Sequence, residues 1–505
     1  MKRRDLIKTM GLFGSAALIP SMLGGRGFIA NANATNVSQR KLINARAILL
    51  GEIDYIKPTV MPQIINIFLY GGPSELGGNL TNIREINEGS PNKYGTNIVK
   101  SDGDFGTSVT TNHFWKRGDN NNQPSAGGEV MEEMIAKGRL TVLRTLNREF
   151  DDSRAHRPSI FSNLTGLTGA EDDRPGIATN LASVLSANGV ISEEAIFPFV
   201  TFEGDSVVFN RADLLSVQNL KPISLDKNLK NPYFRRKNSA LSEEQNEVIE
   251  ALAQTVANGG KALYSKANDA FAKRREIEVF IDELDDKVRN NDLPFNPDFV
   301  ATPENPNPDR LEYPDSNFGH RLNAAVNLAI SNPDTAFISL GSGGLGGWDD
   351  HDSAEIEYPP KLDELMKALN IAAKHLEAVG KANVMINVYG DFGRNVHLNG
   401  SMGWDHGNNQ NLFTVSANPN ATTITTGRIE GYQLGKIIGR TENYYEGNRQ
   451  YTRPLEDSYQ AAPFAVASTI YKYFGIQNPE IMTDNISPID FVTPVNEWVD
   501  PSTMV

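Results

Sequence analysis

Residues 334–353 read DTAFISLGSGGLGGWDDHDS, and residues 383–409 read NVMINVYGDFGRNVHLNGSMGWDHGNN. In the first, the apolar run 336–340 stops at glycines and then at Asp349, Asp350, His351 and Asp352. In the second, the apolar run 384–389 stops at Gly390 and Asp391, and a Gly/Asn-rich loop then carries Asp405 and His406. A helix-like run separates the two. Strands that end in glycine and open onto Asp and His are how α/β proteins assemble sites at the carboxyl edge of a parallel sheet. Asp and His are hard-to-borderline ligands that suit a divalent metal.

Outward from this stretch, strand-like and helix-like segments keep alternating. Residues 361–379 place Leu362, Leu365, Met366, Leu369 and Ala372 at helical spacing. Residues 318–331 gather Leu322, Ala325, Val326, Leu328 and Ala329 on one side of a helix. The run QIINIFLY (63–70) predicts a strand covered on both faces. It ends in GGPSELGGN (71–79), where glycines let the backbone approach a ligand closely. A second buried strand is predicted over 140–146. It opens onto NREFDDSRAHRPS (147–159), in which Arg154, His156 and Arg157 either hold an anion or form a solvated loop.

Further strands are predicted over 195–202 and 412–417, with strand-like segments at 421–425 and within 427–439. Helices are predicted over 129–137, 177–187 and 461–474. Residues 80–125 read as a loop excursion. Residues 242–289 are strongly helical, divided at Gly259 and Gly260, with an alternating, solvated charge pattern. The expected organisation is an arm (35–62), the first part of an α/β domain (63–240) and an inserted helical pair (241–290). A Pro/Asn/Asp-rich linker (291–317), the second part of the α/β domain with the Asp/His loops (318–478) and a tail (479–505) follow.

The chain of 505 residues contains no cysteine. Disulfides and thiolate metal sites are therefore excluded, and a metal must be held by His and carboxylates. A hydrophobic content of 39% is enough for a sizeable core at this length, while 43 glycines and 27 prolines imply long loops. Residues 1–34 read as an export signal. Lys2, Arg3 and Arg4 form a basic start, and the apolar run 10–23 is too short to anchor across a bilayer. ANANA (30–34) offers small-residue cleavage sites. The paired arginines followed by Leu6, Ile7 and Lys8 point to the twin-arginine route, with an ordinary secretory signal or a retained anchor as alternatives. The expected location is periplasmic or extracellular. The formal charge is −14. That acidity, which loss of the basic leader deepens, disfavours a nucleic-acid partner. No later apolar run is long enough for a transmembrane segment, and no oligomeric state is legible.

Asp349 and His351 sit in one turn where both can face a cation; the alternative is that the acidic turn caps the next helix through Asp352 and Ser353. Asp391 follows a strand directly, either as a metal ligand or as the partner of Arg394. Asp405 and His406 lie in a loop too glycine-rich to be stable without a partner, which a metal would supply. His397 reads as a surface histidine, and His320 as a packing or capping residue at a helix start. His375 falls on the exposed side of a helix, and His113 lies in a loop.

Several motifs recur in a fixed order: the twin-arginine start, FLYGGPSELGGN (68–79), SRAH (153–156), FGHRLNAAVNLAI (318–330), GGWDDH (346–351), GDFGR (390–394) and GWDHG (403–407). In that order the chain resembles the DUF1501 family, which looks like a divergent branch of the alkaline phosphatase–sulfatase superfamily. The likeness spans about residues 60–475. It implies an α/β fold, a doubly wound, mostly parallel sheet sandwiched by helices, with the helical pair as an insertion. It also implies one or two divalent metals, zinc, manganese or calcium.

The implied ligands are Asp349, His351, Asp391 and His406, with Asp405 adjacent. Ser74 and Glu75 occupy the first-strand turn where the family commonly carries an Asp, as catalytic and ligand candidates respectively. Phe392 follows Asp391 where a histidine often stands, and Ala155 replaces the serine of an Arg-Ser-His pattern, so the hydroxyl expected there is absent, with Ser153 and Ser159 the nearby substitutes, neither at the matching position. His156 would be an acid/base or a further ligand, and Arg154 or Arg394 would steady a substrate anion. The resemblance thus implies an exported metal-dependent hydrolase of phosphate or sulfate esters, taking a small anionic ester or a polysaccharide-type substrate. The alternative is a catalytically degenerate binding or assembly protein on the same fold, with one metal or none.

Overall fold

The computed structural model describes residues 51–80, 82–94, 114–115, 125–148, 154–168, 174–192, 194–215, 220–225, 231–233, 243–257, 262–290, 292–303 and 305–498. The export segment, most of the arm and His113 lie outside the described residues. In chain order the elements are β1 (Gln63–Leu69), α1 (Ile83–Gly89), α2 (Gly128–Ala136), β2 (Leu140–Asn147), α3 (His156–Thr165), α4 (Ile177–Ala187), β3 (Phe199–Thr201) and β4 (Ile223–Ser224). Then come α5 (Glu243–Ala257), α6 (Ala262–Arg289), α7 (Asn317–Ser331), β5 (Phe337–Gly341), α8 (Ala354–Ala378), β6 (Val384–Gly390), β7 (Gly393–Arg394), β8 (His406–Gly407) and β9 (Asn409–Val415). The chain continues with β10 (Lys436–Ile438), β11 (Thr441–Glu446), β12 (Arg449–Pro454) and α9 (Ala465–Tyr473).

Eight strands form one sheet in the order β10-β2-β9-β6-β1-β5-β3-β4. Neighbours run parallel except β9, which is antiparallel to both β2 and β6. β1 lies between β5 and β6, and all seven of its residues are buried. Its side chains alternate between two cores, as the period of a strand requires. Ile65 and Ile67 join one core with α2, α7 and α8, while Ile64 and Phe68 join the other with α3, α4 and α9. The molecule is therefore α/β, with helices on both faces of a mostly parallel sheet. This covering is why the central strands read as near-continuous apolar runs. Among the described residues, no helix is long and apolar enough to cross a membrane.

Several local expectations differ from the fold. Residues 421–425 make turns rather than a strand, because they cap the carbonyl end of α8: Thr425 N–H donates to Gly380 O (2.9 Å) and Thr423 Oγ1 to Glu377 O (2.9 Å). The charged run after β2 contains helix α3, and residues 83–89 form α1 within the expected loop excursion. Ala155 at the N-cap of α3 offers no side-chain acceptor, so the usual helix-start signal is missing. His375 is buried, not exposed, with Nδ1 3.3 Å from the Tyr313 hydroxyl, and burial pushes its pKa down to about 4. The segment read as a linker covers that side of α8. Leu293, Leu311 and Tyr313 enter the core, and Asp298 pairs with the buried Arg139 (2.6 Å), which also holds Glu377 (2.8 Å).

The β1 turn is fixed by a second buried polar knot. Ser74 caps a single 3-10 turn, Glu75–Gly77, its Oγ accepting from Leu76 N–H (3.3 Å). Glu75 is fully buried, and both Asn409 Nδ2 and Thr452 Oγ1 donate to its carboxylate. One side chain thus ties the β1 turn to β9 and β12. Burial pushes Glu75 from 4.5 up to about 7, against the pull of these donors and the Arg144 charge. A carboxyl raised in the folded state binds its proton more readily there than in the unfolded chain. Stability should therefore fall as pH rises from about 4.5 to about 7, by the order of a few kcal/mol. Urea denaturation of wild type and Glu75→Gln at several pH values tests this. Wild type should lose stability relative to the variant across that window, and parallel curves would contradict it.

Candidate metal centre

Three loops at the carboxyl edge of the sheet are stitched together by main-chain hydrogen bonds. Trp348 N–H donates to Tyr70 O (3.2 Å), Trp404 N–H to Asp350 O (2.8 Å) and Asn395 N–H to Asp405 O (3.0 Å). β7 pairs with β8, setting Arg394 opposite His406. The two Gly-Trp-Asp motifs are anchored alike: the rings of Trp348 and Trp404 meet Tyr358 edge-on, at centroid distances of 5.5 and 5.2 Å. Gly71 and Gly403 permit this closeness. A Cβ on Gly71, at φ +116°, would strike the Trp348–Asp349 backbone, and one on Gly403 would strike that of His351.

Four side chains then face one another. His156 Nε2 lies 3.5 Å from Asp349 Oδ2, and His406 Nε2 lies 3.7 Å from Asp349 Oδ1. One ligand atom from each of His156, Asp349 and His406 lies within 4.8 Å of the others. His351 Nε2 adjoins the group, 3.1 Å from Asp349 Oδ1 and 3.2 Å from His406 Nε2. Tetrahedral bonds of about 2.1 Å separate neighbouring ligand atoms by about 3.4 Å, close to the two His–Asp spacings.

Two of the three histidines are oriented from behind. The carboxylate of Asp391 accepts from His156 Nδ1 (2.6 Å), and the carbonyl of Arg154 accepts from His406 Nδ1 (2.6 Å). Both acceptors assign the proton to Nδ1, which leaves the Nε2 lone pairs aimed at Asp349. Asp391 is fully buried and also accepts from Gly71 N–H (3.2 and 3.3 Å). Its carbonyl is held by Asn163 Nδ2 (2.9 Å) and Arg148 (3.3 Å). The hydrogen bond to Asp391 raises the His156 pKa despite partial burial. Burial lowers that of His406, against the Arg154 carbonyl, and nearby Arg394 adds to the lowering. Burial pulls Asp349 upward, but its hydrogen bond to the Arg394 guanidinium leaves it below the ordinary carboxylate value.

The residues singled out in the sequence separate into two sets. Asp349, His351 and His406 converge with His156; Asp391 lies directly behind His156. Asp405 is at the rim, 3.5 Å from His351 Nδ1 and 3.2 Å from Arg449. Arg394 is buried and donates to the carbonyls of Gly71, Gly72, Trp348 and Trp404 as well as to Asp349. Arg154 directs its guanidinium to Glu446 (2.8 and 2.7 Å). Ser74 and Glu75 are engaged in the β1 turn instead, by Leu76 N–H and by Asn409 and Thr452 respectively. Asp350 turns away to Lys361 (2.5 Å). Ser353 sits at the N-cap of α8 without a side-chain cap bond. His397 is half-buried and accepts from Gln450 N–H (2.9 Å), and His320 pairs with Asp315 (2.9 Å). The hairpin β11–β12, which supplies Glu446 and Arg449, was missed in the sequence. Its signal is aromatic- and Thr-rich flanks around EGNR (446–449).

Comparison with known proteins adds the family. No curated protein matches the chain in sequence. A solved structure of Ps i-CgsB in complex with k-i-k-neocarrahexaose is similar at 10% identity and a TM-score of 0.33, covering 84% of this chain and 75% of that one. That likeness is too slight to carry fold or ligand across. The model of the family described as "Protein of unknown function (DUF1501)" matches residues 62–415, most of the described sheet and all four convergent side chains. The chain belongs to the DUF1501 family.

Proposed function

We propose that this protein is an exported, metal-dependent hydrolase of phosphate or sulfate esters, built around a single divalent cation on an alkaline phosphatase-like scaffold. The observation that carries the reading is the inward aim of two Nε2 lone pairs and the Asp349 carboxylate at one point. His156, Asp349 and His406 would hold the ion, and three protein ligands leave a position open for substrate or water. A bound cation supplies Lewis acidity toward an ester oxygen and lowers the pKa of water at the site. Asp391 holds the His156 ring and its tautomer, the carboxylate–histidine arrangement common behind metal ligands. His351, nearly half exposed beside this group, is placed to move a proton to or from the leaving group. Ala155 carries no hydroxyl and Ser74 Oγ is engaged with Leu76 N–H in the β1 turn (3.3 Å), so this reading takes water as the nucleophile. Phe392 packs against the rings of His156 (4.7 Å) and His406 (4.4 Å) where a second metal would need another ligand, which favours one ion.

A second reading, a binding or assembly protein without an ion, draws on Arg394. Its guanidinium already neutralises Asp349 and reaches within 3.5 Å of His351 Nε2.

Elemental analysis of protein purified without added metal separates the two. One divalent ion per chain, lost in Asp349→Ala and His406→Ala, supports the hydrolase reading. Metal-free wild type that leaves aryl phosphates and aryl sulfates untouched supports the other. His351→Ala should keep the ion and lose turnover by about 10²–10⁴-fold. Loss of the ion in that variant would make His351 a ligand instead. Export rests on the paired arginines, and Arg3→Lys with Arg4→Lys should leave the precursor in the cytoplasm in cell fractionation. Normal export of that variant would indicate an ordinary secretory signal.

A further inference from the structure

The hairpin β11–β12 stands outside the eight-stranded sheet and beyond the span matched by the family model. Its base is fastened to the body: Asn79 and Asn82 donate to Thr441 Oγ1 (2.7 and 2.9 Å), and Thr452 donates to Glu75. Its tip reaches the metal centre from both sides. Arg449 pairs with Asp405 (3.2 Å), and Asp405 flanks His351. Glu446 takes both terminal nitrogens of Arg154, while Arg154 Nε donates to Asn408 Oδ1 (3.1 Å). The same guanidinium lies over the Tyr451 ring at 4.5 Å. Tyr451 stacks on Tyr444 at 5.6 Å, and the Tyr444 hydroxyl donates back to Glu446 (3.2 Å). Arg154 is therefore gripped by charge, hydrogen bond and ring together. Its carbonyl is the group that accepts from His406 Nδ1.

These contacts form a continuous path from the hairpin tip to the imidazole nitrogen facing Asp349. We propose that the tip is the positioning element of the metal centre, with Glu446 acting through Arg154 to hold His406 with Nε2 toward the ion. This rests on the single-ion reading above. An ion pair between a partly exposed guanidinium and a half-exposed carboxylate adds little to global stability. Groups that orient a metal-binding histidine, by contrast, are commonly worth about 10–100-fold in metal affinity. The two quantities therefore separate a positioning role from a merely structural one.

The test is zinc affinity of the full mature chain, measured by competition with a chromophoric chelator, alongside thermal melting of the metal-free protein. Glu446→Gln should bind zinc at least about tenfold more weakly while melting as wild type does. Reversing the pair, Arg154→Glu with Glu446→Arg, should recover affinity above that of Glu446→Gln without reaching wild type, because the ion pair is rebuilt while the contacts to Asn408 and the Tyr451 ring are lost. The ¹⁵N shifts of His406 should show one fixed tautomer in wild type and a mixture in Glu446→Gln. Zinc affinity within twofold of wild type in Glu446→Gln overturns the proposal and leaves the metal centre standing. If Glu446→Gln does not fold, Glu446→Asp decides: zinc affinity at least about tenfold weaker in the folded variant supports the clamp, and affinity within twofold of wild type overturns it. A wild type that binds no zinc removes the single-ion reading and this inference with it.

Discussion

One buried cation fastens the carboxyl edge of this sheet. Arg394 is almost wholly inaccessible, and its guanidinium donates to carbonyls from three separate segments: Gly71 and Gly72 after β1, Trp348 after β5, and Trp404 before β8. Burying a guanidinium is costly unless every donor is met, and here main-chain oxygens and Asp349 meet them. Removing the side chain would leave those carbonyls without their donor in the interior. Lysine could not substitute, because a point charge cannot span the same fork of acceptors. The same saturation takes Arg394 out of contention for a substrate anion.

With the loops fixed in this way, the four acidic residues take different environments. Asp391 is sealed beneath His156, whose ring it orients, and it also accepts from Gly71 N–H in the β1 loop. Asp349 is half exposed and held ionised by Arg394. Asp350, next in sequence, points back to Lys361, and burial raises its pKa. Asp405 stays at the rim between His351 and Arg449. The histidines are sorted in the same manner. His156 takes a carboxylate behind it and is more basic for that, whereas His406 takes a carbonyl and is less basic through burial. Two imidazoles and one carboxylate are thereby presented together, which suits a borderline divalent cation.

Much of this was legible in the sequence, for identifiable reasons. β1, β5 and β6 are near-continuously apolar because both faces of the sheet are covered, and polar residues in the loop that follows such a strand emerge at the sheet edge. That logic located Asp349, Asp391 and His406. It could not tell a side chain facing outward from one buried behind a ring, which is why Asp391 read as a ligand on equal terms with Asp349. His156 was harder to place, since a helix that begins without a capping residue looks like any charged loop. Glu75 and Ser74 drew attention by their position after β1, but Asn409 and Thr452, distant in sequence, claim the Glu75 carboxylate. His375 misled because the segment covering it is rich in Pro, Asn and Asp. The hairpin holding Arg154 was overlooked although Tyr, Thr and a Gly-Asn turn marked it.

The central claim is that two imidazoles and a single carboxylate, carried by three different loops, meet at one cation. X-ray absorption at the zinc edge on the zinc-loaded protein tests it most directly. The account predicts a four- or five-coordinate shell with the outer-shell scattering of two imidazoles, and N/O distances of about 2.0–2.1 Å. A six-coordinate oxygen shell without imidazole scattering would contradict it.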